Sequence, residues 1–345
     1  MALSVNFECR EMPLRNPFTI SRYTVTLQKT AIITISDGEY SGFGEATANP
    51  YYHSTVEKLA AGVNRVKSVV ESADDLHPTA LWSKIAPLLQ GDYFALCAID
   101  VAYWDYFSRK NKKPLRSYWS PPEIYTPMTS YTIGIDSIEV MKQKIFDTPW
   151  PIYKIKLGTV NDSTIIRELR KVTDSVFRVD ANCGWTADQA IEYSGILKDL
   201  NVEFIEQPLA AEDIGGMKRV KAGSALPVIA DESCRLEADV SACADLFHGI
   251  NIKLMKCGGI TPALRMIEKA NELDLKIMGG CMTESTIGIS ALAQLAPLLH
   301  YLDADGAMLL SEDIADGVSF ESGKIRYPAT NGTGADLRHE KSTEC

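Results

Sequence analysis

Ile152-Tyr153-Lys154-Ile155-Lys156 is a run in which apolar and charged side chains alternate and a lysine closes the end. Short apolar runs closed by a charged residue return four more times, ending at Asp180, Glu206, Asp231 and Lys253. The five closing residues Lys156, Asp180, Glu206, Asp231 and Lys253 stand 24, 26, 25 and 22 residues apart, about the length of one strand plus one helix. Amphipathic stretches fill the intervals, so the pattern predicts parallel strands alternating with helices. Three further apolar runs, 126–132 ahead of the series and 276–279 and 304–309 behind it, bring the number of candidate strands to eight, the count of a closed barrel. Helix starts fall between them: Thr186-x-x-Gln189 reads as a capping box, and Thr261-Pro262 as N-cap and first helical residue.

Upstream the rhythm is different. The first 50 residues alternate apolar and polar positions around Asp37-Gly38, which predicts antiparallel strands. Ser54-x-x-Glu57 then predicts the cap of a helix carrying Leu59, Val63, Val66 and Val70 on one face, and a second helix carries Ala95, Ala98, Ile99, Ala102 and Phe107. Pro121-Pro122 marks a boundary, and after about residue 312 a hairpin-like segment, Gly317 to Ile325, falls outside the barrel rhythm. The expected organisation is an α+β unit over 1–120, a barrel over 121–314, and a C-terminal segment over 315–345 that returns to the first unit.

A formal net charge of −10 disfavours nucleic acid or an anionic membrane as partner, since either wants a basic face. No run approaches the ~18 apolar residues of a membrane-spanning helix, and MALSVNFECREMPLR lacks the pattern of a secretory leader, so a cytoplasmic location is expected. The eight cysteines form no C-x-x-C pair, which speaks against a zinc site or a disulfide framework. By base rate a homo-oligomer is expected.

In a (β/α) barrel the C-terminal ends of the strands build the site, so the closing residues share one mouth. Asp180, Glu206 and Asp231 on consecutive strands are hard oxygen donors suited to a divalent cation such as Mg²⁺, and three anions packed there without a cation would repel one another. Lys154 and Lys156 alternate on one strand and so face the same way, while Lys253 lies further round the ring. Lys156 and Lys253 are therefore placed to act on two faces of a ligand held above the metal, with Lys154 as a like-charged neighbour that disfavours protonation. The series continues with Cys281-Met282-Thr283-Glu284 after the seventh strand and Asp303-Ala304-Asp305 at the eighth, where paired carboxylates can clamp an ammonium group.

These motifs resemble the enolase superfamily, in particular its muconate-lactonising subgroup. Tyr153-Lys154-Ile155-Lys156 is similar to the subgroup's K-x-K strand, Val179-Asp180-Ala181-Asn182 to its first metal-ligand motif, and Glu203-Phe204-Ile205-Glu206-Gln207-Pro208 and Ala230-Asp231-Glu232 to the second and third. Asn251-Ile252-Lys253-Leu254-Met255-Lys256-Cys257-Gly258-Gly259 resembles the motif of the opposite base. The resemblance implies a (β/α)₇β TIM-like barrel under an α+β capping domain built from the N-terminal region and the C-terminal tail. It implies one Mg²⁺ per subunit on Asp180, Glu206 and Asp231, a metal-stabilised enediolate, and 1,1-proton transfer by Lys156 and Lys253.

Within the subgroup, Asp303-Ala304-Asp305 and the Cys281–Ser285 stretch look most like dipeptide epimerases of the L-Ala-D/L-Glu type, acting on peptides from bacterial cell walls. The implied substrate contacts are Arg22, Thr132, Lys154, Cys281, Thr283, Asp303 and Asp305, with Arg22 on the side-chain carboxylate of glutamate. Asn331-Gly332-Thr333-Gly334 departs from the family's usual G-L-G. Other activities of the subgroup, namely N-acylamino acid racemase, o-succinylbenzoate synthase and cycloisomerase, share the same metal and lysines. A Schiff-base aldolase without a metal, or a barrel that only binds, are the readings outside the family.

Overall fold

The computed structural model describes residues 3–20, 23–120 and 125–338. Three antiparallel strands open the chain, β1 (Ser4–Thr19), β2 (Thr24–Ser36) and β3 (Ser41–Thr47), in the order β1-β2-β3. The Asp37-Gly38 turn joins β2 to β3: Gly38 takes φ +92°, and Asp37 Oδ1 accepts from the backbone of Glu39 and Tyr40. Helices α1 (Val56–Glu71), α2 (Pro78–Ile85) and α3 (Tyr93–Lys110) follow. α3 lies directly on β3. A Cβ on Gly44 would stand 1.9 Å from the backbone oxygen of Ala98, and one on Gly42 2.1 Å from the nitrogen of Tyr106, so only glycine permits that approach.

The expected Ser54 cap is displaced by one residue. Thr55 is the N-cap of α1, accepting from Lys58 N at 3.2 Å, while Ser54 Oγ turns back to the oxygen of Thr47.

Eight parallel strands form the second layer: β4 (Tyr131–Ile133), β5 (Ile152–Lys156), β6 (Val176–Asp180), β7 (Val202–Glu206), β8 (Val228–Ala230), β9 (Gly249–Lys253), β10 (Lys276–Gly280) and β11 (Tyr301–Asp303). Each pairs with its successor in sequence. The ring closes between β4 and β11 through a parallel bridge from Thr129 to Leu302, with Ser130 N donating to the oxygen of Leu302. Between the strands run α4 (Ile138–Asp147), α5 (Asp162–Arg170), α6 (Ala187–Asp199), α7 (Ile214–Gly223), α8 (Val240–Leu246), the single turn α9 (Leu254–Cys257) with α10 (Ile260–Glu272), and α11 (Thr286–Ala293). Among the described residues no α-helix follows β11, which makes the barrel (β/α)₇β. The strands are buried on both faces, so they read as apolar runs punctuated by the inward charges.

Three further details differ from the sequence reading. The first barrel strand is 131–133, since of 126–130 only Thr129 is bridged to a neighbouring strand. The eighth is 301–303. The apolar stretch 304–309 turns instead, with Met308 N donating to the oxygen of Asp305, and a Cβ on Gly306 would meet the oxygen of Met282 at 2.2 Å. At α10 the N-cap position is Gly259, and Thr261 lies in the first turn, held by Asp100 of α3 through Thr261 N (2.8 Å) and Oγ1 (2.7 Å). The Thr186–Gln189 capping box is formed at α6.

The last strands are β12 (Ala315–Asp316), β13 (Ser319–Glu321), β14 (Lys324–Arg326) and β15 (Asp336–Leu337). β13 and β14 make the expected hairpin. The segment then reaches the N-terminal layer: Thr333 N donates to Asp105 of α3, and Ala315 and Ala335 pack with Ile32 of β2 and Ile287 of α11. Cys97, Cys234, Cys243 and Cys257 are buried thiols, and Cys183 and Cys281 are partly exposed ones. No helix among the described residues is long and apolar enough to cross a membrane.

Candidate active site

The C-terminal ends of β5 to β9 converge below the three-stranded sheet. β6, β7 and β8 bring Asp180, Glu206 and Asp231 together, all buried, with one ligand atom from each lying within 4.8 Å of the others. Gln207 sets two of those ends in register. Fully buried and held at φ +33°, it accepts from Asp231 N (2.9 Å) and Ser233 N (3.1 Å) and donates to the oxygen of Leu209 (2.8 Å). Glu206 Oε1 accepts from Asn251 of β9 at 2.7 Å. Its buried Oε2 has no hydrogen bond, although Lys154 Nζ lies 2.8 Å away as an ion-pair neighbour. Three hard, buried oxygen donors, one of them lacking a hydrogen bond, fit a divalent cation.

Lys156 and Lys253 flank this row. They stand on β5 and β9, four positions apart in a ring of eight and so across the barrel from each other. Lys156 Nζ meets Asp180 Oδ2 at 2.7 Å, and Lys253 Nζ meets Asp231 Oδ2 at 2.7 Å. Lys154, two residues before Lys156, is drawn into the carboxylates: it bonds Asp303 Oδ2 at 2.8 Å and lies 3.4 Å from Asp180 Oδ2.

The electrostatics follow from burial and these partners. Burial pushes the Glu206 carboxyl up to about 7, against the pull of Lys154. Burial works the same way on Asp231, yet Lys253 and Lys256 hold it well below the usual carboxylate range. For Lys253, burial disfavours the charge, but Asp231 outweighs it and holds the ammonium well above the ordinary lysine value. Lys154 is held up likewise by Asp303 and Glu206. At Lys253 the field of Asp231 thus outweighs the opposing field of Lys154.

Asp303 ends β11 and Asp305 follows it. Asp303 Oδ1 accepts from Ser130 Oγ at 2.7 Å, and Asp305 Oδ2 from Thr132 N at 2.5 Å. Burial, then Asp303, pushes the Asp305 carboxyl up to about 7, so an arriving cation would favour its ionised form. Both aspartates, Thr132, Cys281 and Thr283 line one cavity with Lys154, Lys156, Asp231 and Lys253. It opens to solvent. Phe18, Ile20, Tyr23, Val25 and Leu309 give it an apolar wall. Arg22 lies outside the described residues.

Sequence reasoning passed over Asn251, Gln207 and Lys256, though signals existed. Asn251 is two residues before Lys253 and so shares its face, and Lys256 is a charge in an otherwise apolar turn. Glu284 does not line the cavity. It is buried and accepts from Met282 N at 2.8 Å, so it braces the loop that carries Cys281 and Thr283. Glu45 of β3 braces the next residues, accepting from Ser285 Oγ at 2.5 Å and Ser285 N at 3.0 Å.

A barrel carrying three buried carboxylates between two lysines, closed by a sheet-and-helix cap, defines a class, and family comparison gives the same one. Residues 2–118 match the mandelate racemase / muconate lactonizing enzyme N-terminal domain, and residues 138–341 match the enolase C-terminal domain-like family. The chain belongs to the enolase superfamily, in its mandelate racemase and muconate lactonizing branch. It is 51% identical to an L-Ala-D/L-amino acid epimerase of Flavobacterium johnsoniae over 94% of this chain and 97% of that one. Among solved structures, the substrate-liganded L-Ala-D/L-Glu epimerase of Bacillus subtilis superposes with a TM-score of 0.92 at 27% identity, covering 97% of this chain and 99% of that one. A dipeptide epimerase of Enterococcus faecalis, complexed with Mg and L-Leu-L-Tyr, gives a TM-score of 0.89 at 29% identity, with coverage of 97% and 99%.

Proposed function

We propose that the protein is a Mg²⁺-dependent dipeptide epimerase that inverts the α-carbon of the C-terminal residue of an L-Ala-X dipeptide. One observation carries this reading: the two flanking lysines, the Asp303–Asp305 pair and Asp231 line one cavity, and Asp180 and Glu206 cluster with Asp231. Asp180, Glu206 and Asp231 would hold the cation. When bound, it supplies Lewis-acid stabilisation of the negative charge that develops on the substrate carboxylate as the α-proton leaves.

The chain's own groups do the rest. Asp303 and Asp305 accept hydrogen bonds from the substrate's free ammonium and fix its direction in the cavity. Lys156 and Lys253 reach the α-carbon from opposite sides, one removing the proton and the other returning one to the far face, which inverts the centre. Lys154 keeps Asp303 and Glu206 in place, while Thr132, Cys281 and Thr283 shape the wall. The apolar wall of Phe18, Ile20, Tyr23 and Val25 supports an apolar X alongside glutamate, for which Arg22 is the candidate partner.

The same reading takes 1–120 and 315–345 together as the cap and 121–314 as the barrel, supported by the Asp105–Thr333 and Ile32–Ala335 contacts. It carries with it a cytoplasmic location and a homo-oligomer, to be checked by fractionation and light scattering. The test of function is a dipeptide panel in D₂O with Mg²⁺, including L-Ala-L-Glu and L-Ala-L-Phe, with α-hydrogen exchange followed by mass spectrometry. Deuterium in the C-terminal residue is expected. Exchange only with N-acylated amino acids would move the assignment to a racemase of the same family.

A further inference from the structure

Lys256 is a charge with no part in the scheme above. It lies in α9, the single turn that follows Lys253, and is 2% exposed. It is absent from the walls of the substrate cavity. A buried ammonium is costly unless its donors are matched, and here they are met four times: by Asp231 Oδ1 (2.5 Å), the backbone oxygen of Asp231 (2.6 Å), that of Cys234 (3.0 Å) and that of Asn251 (3.1 Å). The acceptors belong to the end of β8, the loop after it, and β9.

We infer that Lys256 is a positioning residue that locks Asp231, and through it Lys253, into the geometry of the site. Asp231 is gripped by one ammonium on each oxygen, Lys256 on Oδ1 and Lys253 on Oδ2, so its carboxylate cannot rotate. Asp180, the partner of Lys156, is oriented by other means: Asn182 N donates to Oδ1 at 2.9 Å, and Lys156 and Lys154 flank Oδ2. Loss of Lys256 should therefore weaken the metal site and disturb the two faces of the substrate unequally. The inference rests on the proposed function for its second consequence only.

The test compares wild type with Lys256→Met, which keeps the stem and removes the charge. Mn²⁺ binding without substrate, followed by the electron paramagnetic resonance of the free ion, should weaken about 10–100-fold, the usual effect of removing a partner of a metal ligand. α-Proton exchange in D₂O should fall more than about tenfold further for the diastereomer served by Lys253 than for the one served by Lys156. Mn²⁺ affinity within about twofold of wild type, or equal losses on both faces, would overturn the inference. If Lys256→Met gives no cooperative melt, Lys256→Gln, which keeps donors for the backbone oxygens, carries the same two readouts. A wild-type enzyme that exchanges no dipeptide would sink the functional reading and leave the Mn²⁺ comparison to decide on Lys256.

Discussion

Asp303 and Asp305 separate a substrate with a free ammonium from one without. Asp303 is tied to Lys154 and Ser130, yet it still lines the cavity, as does Asp305. Asp303→Asn removes a charge while keeping the shape. Dipeptide turnover should fall by a factor of about 10–10², since a charge-assisted hydrogen bond contributes roughly 1.5–3 kcal/mol. Steady-state kinetics on L-Ala-L-Glu would show it, and unchanged kcat/KM would count against the clamp. Lys156→Ala and Lys253→Ala should each cut epimerisation by at least about 10²–10⁴-fold, the range for a lost proton-transfer group, with the circular-dichroism spectrum unchanged. Lys156 and Lys253 were legible because each closes a strand run, and Asp303 and Asp305 by their D-x-D pattern rather than by a strand end. Gln207 and Glu45 were not, because their roles arise from contacts across the fold, as between Glu45 and Ser285.

At the scale of elements, the contact of α3 with the barrel carries a titratable group. Burial pushes the Asp100 carboxyl up to about 7, opposed by hydrogen bonds from Thr261. A carboxyl raised on folding binds its proton more tightly in the folded state. Its contribution to stability is whole below the unfolded value of 3.8 and is lost as pH rises to about 7. The difference in unfolding free energy between wild type and Asp100→Asn should thus change through this window with a slope approaching about 1.4 kcal/mol per pH unit. Urea titrations at several pH values would measure it, and parallel curves would contradict it.

Gly44→Ala should lower stability by about 1–3 kcal/mol or more in a thermal melt, because its Cβ has no room beside Ala98. The strands β5, β8 and β9 were legible because each is a short, mainly apolar run with a charged stop, Lys156, Asp231 and Lys253. β4 and β11, which close the ring, were misplaced. Of the run 126–130 only Thr129 is bridged before β4 begins, and the longer apolar stretch after Asp303 folds into a turn that walls the cavity.

For the whole molecule, the reaction site belongs to neither layer alone. The barrel supplies the charges, and β1, β2 and the segments joined to them supply the apolar cover. The barrel was visible in the spacing of five residues and the return of the C-terminal segment in the break of that rhythm and in the family resemblance, whereas the packing of α3 on β3 leaves no local pattern. Chelation should abolish exchange and lower the melting temperature, and Mg²⁺ at 100 times its dissociation constant should restore about 2.7 kcal/mol.

The central claim is that a metal held by Asp180, Glu206 and Asp231 is flanked by one lysine for each face of the α-carbon. It is tested most directly by α-proton exchange in D₂O of Lys156→Ala and Lys253→Ala, each offered both diastereomers of one L-Ala-X dipeptide with Mg²⁺. Each variant should exchange one diastereomer and not the other, with opposite choices. Variants that exchange the same diastereomer, or both equally, would contradict the account.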